Sequence, residues 1–257
     1  MIAKTATEGA QAIRRAVEVL RAVVLIQGTG ANLMKVARAT NLSRSTAFRI
    51  LRSLTEERLL AFDQINHTYS IGPLAYELGL AAEERADLAV EWTPSLRRIS
   101  EGTGLTSYLI ARSGNEIVCL AAMQGSATVR AVPMRVGQRA PLGVGAGSLA
   151  ILASLGDEEI GSVIAANADK LAIYSSGTLT SDELERRVAD TRTKGHACTM
   201  ATMAPGVVGI GITVAGSDLT RLAVSVALAG SGIAEKDERE IVAFMRQAVA
   251  RDRKIAA

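Results

Sequence analysis

The side chains that could do chemistry lie in two stretches of the sequence. Residues 43–52 read Ser-Arg-Ser-Thr-Ala-Phe-Arg-Ile-Leu-Arg and combine guanidinium groups with hydroxyls. Arginine can donate two parallel hydrogen bonds to the edge of a guanine, and serine or threonine can bond to bases or phosphates. The second stretch holds His196 and Cys198, which would share one face of a strand. A cysteine and a histidine can act as nucleophile and base, so base recognition and covalent catalysis both need to be considered.

Catalysis is the less favoured of these two interpretations. A catalytic site needs a nucleophile, a base and a group that orients the base, and the segment around Gly195 predicts a surface turn that would leave His196 in solvent. The sequence contains two histidines, no Gly-x-Ser-x-Gly motif and no grouping of His, Cys, Asp and Glu at metal-ligand spacing. We therefore expect no enzyme activity, no catalytic residue, no metal and no cofactor, with a hydrolase as the alternative.

The elements around residues 43–52 predict how the arginines would be held. Apolar residues recur at three- and four-residue steps over 10–26, which indicates an amphipathic helix that ends at Gln27–Gly30. A short helix follows from Leu33 to Thr40, and Ser43 is a typical N-cap residue for a further helix from Arg44 to Glu57. A short helix, a tight turn and a second helix with a basic first turn are typical of a helix-turn-helix.

A hairpin is predicted directly after these helices. Apolar side chains alternate at period two in 60–62 and again in 69–71, on either side of a polar turn at 63–67. A helix-turn-helix followed by such a hairpin is a winged helix-turn-helix. We therefore expect a DNA-binding domain over residues 1–72, in which the second helix of the pair enters the major groove.

The predicted DNA contacts fall into two kinds, those to bases and those to phosphates. Arg44 and Arg49, on the first turns of the recognition helix, would read guanine, and Phe48 could touch a thymine methyl group. Other basic side chains would bond to phosphates, which gives affinity without sequence choice; these are Lys35, Arg38 and Arg52. The full set of predicted DNA-binding residues is Lys35, Arg38, Ser43, Arg44, Ser45, Thr46, Phe48, Arg49, Arg52 and His67.

Three of these residues have a plausible structural role instead. Arg52 could pair with Glu56, four residues further along a solvated helix face. Phe48 could pack against the hairpin as part of the core, and His67 could be an ordinary loop residue.

Charge is distributed unevenly along the chain. The net charge is +3, but residues 1–72 carry ten Lys and Arg against five Asp and Glu, a net charge of +5, and the remainder carries −2. A basic N-terminal region on a near-neutral body indicates a polyanionic partner for that region alone.

The overall composition predicts the class of protein. The chain has 257 residues, 48% of them hydrophobic and 21% charged, which suits two globular domains. No apolar run approaches the roughly 18 residues that would span a bilayer, and the first residues do not resemble a signal peptide. Cys119 and Cys198 are far apart and suggest no disulfide framework. We therefore expect a cytoplasmic protein that has no membrane partner.

The rest of the chain predicts an α+β domain. Two apolar-periodic stretches between Pro73 and Ile99, interrupted at Pro94, indicate a linker helix at 73–90 and then the first helix of a body at 91–257. Antiparallel strands with helices at their sides are expected within this body. The predicted strands are 106–111, 117–121, 128–132, 207–214 and 222–229, and the predicted helices start near 146, 182 and 235.

Three blocks of the N-terminal region resemble the IclR family of bacterial regulators. They are Ala-Ile-Arg-Arg-Ala-Val-Glu-Val-Leu at 12–20, Leu-Ser-Arg-Ser-Thr-Ala-Phe-Arg-Ile-Leu at 42–51 and Tyr-Ser-Ile-Gly at 69–72. The body is similar to the GAF-like effector-binding domain of that family. Pro141-Leu142 and Ala146-Gly147-x-x-Ala150 stand where the family has its Pro-Leu and Ala-Gly-Lys-Ala block. Ser148 replaces the usual lysine. The resemblance covers about 10–251 and implies a ligand-responsive transcription regulator, more often a repressor, that acts on a catabolic operon.

A candidate effector site follows from the glycine-rich segment 143–148. Amides at a helix N-terminus are free to bind a carboxylate or carbonyl oxygen. No acidic residue lies between Gly195 and Gly216, where the family usually has an acidic run, so we expect an uncharged, apolar or aromatic effector. The predicted effector-binding residues are Val129, Gly145, Ala146, Gly147, Ser148, Thr199, Met200, Met203, Gly209, Ala227 and Ala229.

Other interpretations of the body stay open. The glycines could serve only close packing of a helix on a sheet, and the body could have lost effector binding and serve only oligomerisation. The segment also fits a dinucleotide-binding pattern, but Pro141 precedes it and no βαβ unit surrounds it.

Specific binding by one small recognition helix needs a second copy on a palindromic operator. An apolar stripe on the first helix, from Ile13 to Val24, predicts a dimer contact, and the resemblance implies that dimers can pair into tetramers.

Overall fold

A computed structural model of the protein describes residues 8–81, 83–127, 134–174, 179–214 and 221–253. The chain divides into two compact units, Met1–Ala86 and Asp87–Ala257. This division falls inside the stretch assigned to a linker helix, and the domain boundaries at 72 and 90 stay a prediction. The predicted strand at 128–132 lies outside the described residues.

The first unit contains four helices and a hairpin within its described residues. The bounds are α1 Glu8–Ile26, α2 Leu33–Thr40, α3 Arg44–Glu56, β1 Leu60–Asp63, β2 Thr68–Ile71 and α4 Pro73–Ala81, with one 3₁₀ turn at Gln27–Thr29. The strands β1 and β2 are antiparallel and pair Leu60 with Ile71. Val19, Val23, Val36, Leu51 and Leu60 are buried at the centre of this unit. The winged helix-turn-helix predicted from the sequence is therefore confirmed.

Local capping explains the angular turn between α2 and α3. Asn41 ends α2 in the left-handed conformation, with φ of 52°, and its amide bonds back to the carbonyls of Ala37 and Arg38. Ser43 begins α3 in an extended conformation, and its hydroxyl accepts a hydrogen bond from the amide of Thr46 at 3.2 Å. Three residues suffice to turn the chain because the two caps satisfy amides or carbonyls that the helices leave open.

The described residues of the second unit form six strands, which are β3 Thr106–Ser113, β4 Glu116–Met123, β5 Arg139–Pro141, β6 Ala197–Met200, β7 Val207–Val214 and β8 Leu222–Ala229. They pair in one antiparallel sheet in the order β5-β4-β3-β8-β7-β6. The helices are α5 Glu83–Thr103, α6 Ala146–Ala153, α7 Asp157–Tyr174, α8 Ser181–Lys194 and α9 Glu235–Arg253. Of these, the short strands β5 and β6 and the helix α7 were not predicted.

Each face of the sheet carries its own apolar core. On β3, Tyr108 and Ile110 contribute to the core formed with α6, α7 and α8, and Leu109 and Ala111 to the core formed with α5 and α9. Successive side chains of a strand point to opposite faces, so this alternation is expected of a sheet covered on both sides. The α+β body predicted from the sequence is confirmed.

The expected interruption at Pro94 is wrong. Pro94 lies inside α5, which runs from Glu83 to Thr103. A proline in a helix interior costs about 3 kcal/mol. Trp92, Leu96 and Ile99 of the same helix are buried, and burying side chains of this size offsets such a cost. Among the described helices, none is both long and apolar enough to cross a membrane.

Candidate DNA-binding face and ligand cavity

The exposed face of α3 carries most of the residues predicted to contact DNA. Arg44, Ser45, Phe48 and Arg49 are exposed, whereas Ala47, on the opposite side, is buried. Leu51 and Leu54 are buried too and fix the rotation of the helix on the rest of the unit. The result is an exposed surface of cations, a hydroxyl and one aromatic ring.

The hydroxyls at the start of α3 bond mainly to one another. Ser43 Oγ donates to Thr46 Oγ1 at 2.9 Å and lies 3.1 Å from Ser45 Oγ. Ser43 therefore acts as the helix cap, and Thr46 is half-buried beside it. The side chain of Ser45 remains exposed on the face of the helix.

The basic side chains of the first unit fall into two groups. Within the described residues, the guanidinium groups of Arg38, Arg44 and Arg49 have no hydrogen bond or ion pair. Arg52, in contrast, pairs with Glu56 at 2.8 Å, so the alternative considered for it does form. Lys35 is exposed, and its Nζ donates to the carbonyl oxygen of Thr29.

Hydrogen bonds to Asp63 stabilise the turn of the hairpin and leave His67 exposed. The carboxylate of Asp63 accepts hydrogen bonds from the amide of Ile65 at 2.8 Å and from the amide and side chain of Asn66 at 3.1 and 2.6 Å. These bonds, that of the Asn66 side chain first, lower the pKa of Asp63. His67 is exposed in the left-handed conformation, with φ of 51°, and its ring centroid is 6.2 Å from that of Phe62. His67 is thus available to a partner as part of the wing.

Phe48 is not a core residue. Its side chain is 47% exposed, and it does not belong to the apolar core of the first unit. The alternative that Phe48 packs against the hairpin as core is therefore wrong. Leu33, Arg44, Ser45 and Phe48 together line a shallow hollow that is open to solvent.

A small cavity lies between the start of α6 and the sheet in the second unit. Its volume is about 50 Å³. The structure brings eight of the predicted effector-binding residues together in its wall: Gly145, Ala146, Gly147, Ser148, Thr199, Met203, Gly209 and Ala227. These residues come from α6, the turn before it, three strands and the loop after β6.

Two predicted effector-binding residues do not line the cavity. Met200 is 56% exposed, because it follows Thr199 on β6 and points to the opposite side. Ala229 is exposed at the end of β8, beyond the part of the strand that forms the wall. Met200 and Ala229 are therefore not part of the cavity, and Val129 lies outside the described residues.

Sequence reasoning missed about half of the wall. The missed residues are Tyr108, Ile110, Ile117, Met134, Val144, Thr202, Val207, Ser225 and Val226. Period-two alternation along β3 could have found Tyr108 and Ile110, and the same alternation on β8 pairs Ser225 with Ala227. Nothing local to Met134 or Thr202 in the sequence indicates the cavity.

The described wall contains hydroxyls but no charged side chain. Thr199, Thr202 and Ser225 are each more than nine-tenths buried, and no described residue forms a hydrogen bond with their hydroxyl groups. Burial also raises the pKa of the Tyr108 phenol far above its usual value, with a smaller effect from Cys119, so Tyr108 is neutral. The cavity therefore offers neutral donors and acceptors on an apolar surface.

The glycines around this cavity also pack closely. A Cβ at Gly211 would lie 2.5 Å from the carbonyl carbon of Ala146, and one at Gly209 would lie 3.0 Å from Thr199 Oγ1. A Cβ at Gly147 would lie 3.0 Å from Ile110 Cγ1. Close helix–sheet packing, one of the alternatives from the sequence, is thus present together with the cavity.

The hydroxyl of Ser148 is used within the turn before α6. It accepts a hydrogen bond from the amide of Gly143 at 2.8 Å and lies 3.4 Å from the carbonyl oxygen of Pro141. Although Ser148 borders the cavity, its polar group holds the turn and is less available to a ligand.

His196 is buried, and the expectation that it lies in a surface turn is wrong. Its Nε2 is 2.6 Å from Glu238 Oε1 on α9, and its Nδ1 is 3.1 Å from the carbonyl oxygen of Lys194. Burial raises the pKa of the nearby Cys198 thiol to about 11, and the charge of Glu238 adds to this. Cys198 is therefore protonated at neutral pH, and this cluster joins β6 to α9 without forming an activated nucleophile.

These two units define a class of protein. A winged helix-turn-helix with exposed arginines on its recognition helix, followed by a separate α+β unit, is the arrangement of a DNA-binding transcription regulator. The family model described as the bacterial transcriptional regulator IclR C-terminal domain matches residues 80–253, and that of the IclR helix-turn-helix domain matches residues 12–64. The chain belongs to the IclR family of bacterial transcriptional regulators.

Curated relatives agree with this assignment. The chain is 30% identical over 151 residues to the regulator KipR of Bacillus subtilis, covering 59% of each protein. It is 28% identical over 159 residues to the repressor AllR of Escherichia coli, covering 62% of this chain and 58% of AllR. The regulator Rv1719 of Mycobacterium tuberculosis is 28% identical over 227 residues, 86% of this chain and 83% of that protein. The matches to KipR and AllR thus span less than two thirds of those proteins.

Solved structures share the fold. An IclR-type regulator from Alicyclobacillus acidocaldarius superposes with a TM-score of 0.72 at 23% identity and covers 94% of this chain and 97% of that one. An IclR homolog from Microbacterium hydrocarbonoxydans, solved in complex with 4-hydroxybenzoate, gives 0.69 at 20% identity and covers 93% and 99%. The family models and relatives are transcription regulators, so this protein is a regulator with a helix-turn-helix DNA-binding domain and not an enzyme.

Proposed function

We propose that the protein is a ligand-responsive repressor. It binds a palindromic operator as a dimer or tetramer and leaves it when a small uncharged or aromatic molecule fills the cavity of the second unit. The observation that carries this proposal is the described wall of that cavity, which holds unpartnered hydroxyls and no charged side chain.

The DNA-binding part of the proposal rests on the two groups of arginines. Arg44 and Arg49 are exposed and unpaired within the described part of α3, so they are free to donate to guanine. Arg38, in the last turn of α2, also has no hydrogen bond or ion pair among the described residues. Together with Lys35 and Arg52, it would contact phosphates. Contact with phosphate would replace the pairing of Arg52 with Glu56, which costs little because both side chains are solvated.

The assembly part rests on exposed apolar side chains of the first unit. Ile13 and Val17 on α1 are 68% and 39% exposed, and Tyr76 and Leu78 on α4 are 69% and 57% exposed. A single small domain rarely leaves so many large apolar groups in water unless a partner covers them. A second copy of the chain is the partner that a palindromic operator would require.

The nature of the effector follows from the wall of the cavity. An ionised ligand would lose its hydration without meeting an opposite charge, and this is unfavourable in an apolar site. A neutral or aromatic molecule with one hydroxyl or carbonyl group could bond to Thr199 or Ser225 and place its ring against Ile110 and Ile117.

The cavity must expand to admit a ring. Its volume of about 50 Å³ is smaller than the cavity of roughly 150 Å³ that holds benzene in an engineered protein. Met203 covers Gly145, since a Cβ at Gly145 would lie 2.9 Å from Met203 Cγ. Methionine is unbranched and adapts its shape readily, so movement of Met203 would provide the missing room.

Repression is the proposed sign of regulation. The relative AllR is named a transcriptional repressor, as is the structural neighbour BlcR of Agrobacterium tumefaciens. A neighbour solved with 4-hydroxybenzoate suggests a first ligand to test.

The experiment uses the full chain and an operator selected by it from a pool of random DNA duplexes. Fluorescence anisotropy of the labelled operator is measured with phenol, 4-hydroxybenzoate and pyruvate. Release of the operator by phenol, lost in Ala227→Leu, would support the proposal. 4-Hydroxybenzoate tests the charge requirement, because its carboxylate is ionised at neutral pH, and release by it without release by phenol would contradict an uncharged effector. Release by pyruvate alone would contradict the proposed effector class.

The small cavity volume favours a second candidate, in which the body only oligomerises. In that case none of these compounds, nor a wider panel of phenols, would raise the melting temperature of the protein. Ala227→Leu would then lower the melting temperature through overpacking and leave operator binding unchanged.

A further inference from the structure

The hollow at the start of the recognition helix has walls of opposite character. Leu33 and Phe48 form its apolar side, and Arg44 and Ser45 form its polar side. Leu33 packs partly against the core of the first unit, so one apolar wall is fixed. Phe48 stands one helical turn after Arg44 and forms the other wall from the exposed face of α3.

The exposure of Phe48 is the feature that needs a partner. A ring that is 47% exposed contributes little to the core, yet it lies between Arg44 and Arg49, the two arginines proposed to read bases. Arg44 and Arg49 are exposed on the same helix and favour an anionic polymer. The apolar partner of Phe48 is therefore sought among the groups that accompany DNA bases.

The major groove of DNA presents one apolar group, the 5-methyl group of thymine. We propose that the hollow of Leu33 and Phe48 receives this methyl group, and that Phe48 thereby selects a thymine within one base step of the guanine read by Arg44. This inference rests on the proposed entry of α3 into the major groove. It assigns Phe48 a role in sequence choice that phosphate-binding residues cannot have.

The physical reason for selection is the loss of water from both surfaces. Burying one methyl group against Phe48 and Leu33 favours thymine over a base that lacks it, by about fourfold in affinity for each half-site. Deoxyuridine tests this directly, because it pairs as thymine does and lacks only the methyl group.

The experiment begins with the operator that the full chain selects from random duplexes. Each thymine of one half-site is then replaced in turn by deoxyuridine, and affinity is measured by fluorescence anisotropy at fixed salt. We expect one position where deoxyuridine weakens wild-type binding by about fourfold. Phe48→Ala should bind the thymine and deoxyuridine duplexes equally, and Phe48→Leu should keep part of the preference.

A matched control is Ile65→Ala, which removes an exposed aliphatic side chain from the hairpin turn, away from the hollow. It should keep the full preference for thymine. Melting temperatures of the variants should match that of the wild type, because Phe48 and Ile65 are outside the core.

Two results would overturn the inference. The first is a selected half-site in which no thymine is sensitive to deoxyuridine in the wild type. The second is a Phe48→Ala protein that keeps the wild-type preference. A selection that yields no common sequence would instead contradict sequence-specific binding itself, and the inference would fall with it.

Discussion

The recognition face presents Arg44, Phe48 and Arg49 from a single helix of 13 residues, whereas the cavity draws its wall from α6 and five strands. The first surface is exposed to solvent and carries the unpaired cations of Arg44 and Arg49. The second lies between α6 and the sheet and has no charged side chain among its described residues. A side chain on the face of α3 can change without altering the fold, but a side chain in the cavity wall takes part in both ligand contact and packing.

This difference affects how each region should respond to substitution. Changes on α3 should alter DNA affinity and leave stability unchanged, because water already surrounds these side chains. Changes around the cavity should alter stability first, since α6 lies against β7 with glycines at the contact.

Gly211→Ala should destabilise the second unit by about 3 kcal/mol or more, at the upper end of overpacking effects. The new Cβ would lie 2.5 Å from a backbone atom of Ala146, which cannot move without shifting α6. Urea denaturation followed by circular dichroism measures the loss. The control is Gly161→Ala on α7, where a Cβ meets nothing within 4 Å, and helix propensity predicts a gain of up to about 1 kcal/mol. Equal stability of the two variants would refute the close packing of α6 on β7.

Arg49→Ala should cost about 1–3 kcal/mol of operator affinity and relax base preference at one position. Its melting temperature should be that of the wild type, because the side chain is exposed. Arg52→Ala is the matched control, since Arg52 is paired with Glu56 and is assigned to a phosphate. It should weaken binding to operator and random DNA alike. If Arg49→Ala also weakened both equally in anisotropy measurements, Arg49 would be a phosphate contact as well.

Glu238→Gln should lower the stability of the second unit by about 2 kcal/mol at neutral pH. Burial favours the neutral carboxyl, but hydrogen bonding from His196 and the charge of Lys194 outweigh it and lower the pKa of Glu238 below its usual value. A carboxylate whose pKa is lowered by folding stabilises the fold at pH values above its pKa in the unfolded chain. This stabilisation is lost as the pH falls through its pKa in the folded chain.

The pH dependence separates this effect from simple repacking. The difference in melting temperature between wild type and Glu238→Gln should be present near neutrality and shrink as pH falls below the usual pKa of a glutamate. A difference that stays constant down to pH 3 would argue that the carboxylate charge is unimportant. Operator affinity at neutral pH should be unchanged, because Glu238 is in the second unit.

The smallest effects should distinguish two buried hydroxyls at the cavity. Ser148→Ala leaves the amide of Gly143 without its partner and should cost about 1 kcal/mol. Thr199→Val removes a hydroxyl that bonds to no described residue and should be neutral or slightly stabilising. Urea denaturation compares them. A larger loss for Thr199→Val than for Ser148→Ala would show that Thr199 has a structural role and is not held free for a ligand.

The face of α3 and the cavity also differ in how well the sequence predicted them. Periodicity and capping predicted α2 within its observed bounds and α3 to within one residue, with Ser43 as the N-cap. Periodicity and capping relate residues that are three or four positions apart, so a single helix contains all the information needed to recognise them. The exposed side of α3 followed from the same period, which is why Arg44 and Arg49 could be placed before the structure was known.

The errors occurred where distant segments meet. Met200 and Ala229 were assigned to the cavity. Met200 lies on the exposed side of β6, and Ala229 is exposed at the end of β8. His196 was expected in solvent and instead bonds to Glu238, 42 residues further along the chain. Pro94 was expected to interrupt a helix that continues through it.

By itself, the sequence determined the helix-turn-helix, the strands β3, β4, β7 and β8 of the body and the exposed cations of α3. These depend on local hydrogen bonding and on the period of apolar residues, which short stretches contain in full. Only the tertiary structure decided which hydroxyls of the cavity remain unpartnered and which glycines permit α6 to contact β7. Burial and close contact are properties of pairs that the chain brings together, so Thr199, Gly211 and Glu238 acquire their roles from neighbours that are far away in sequence.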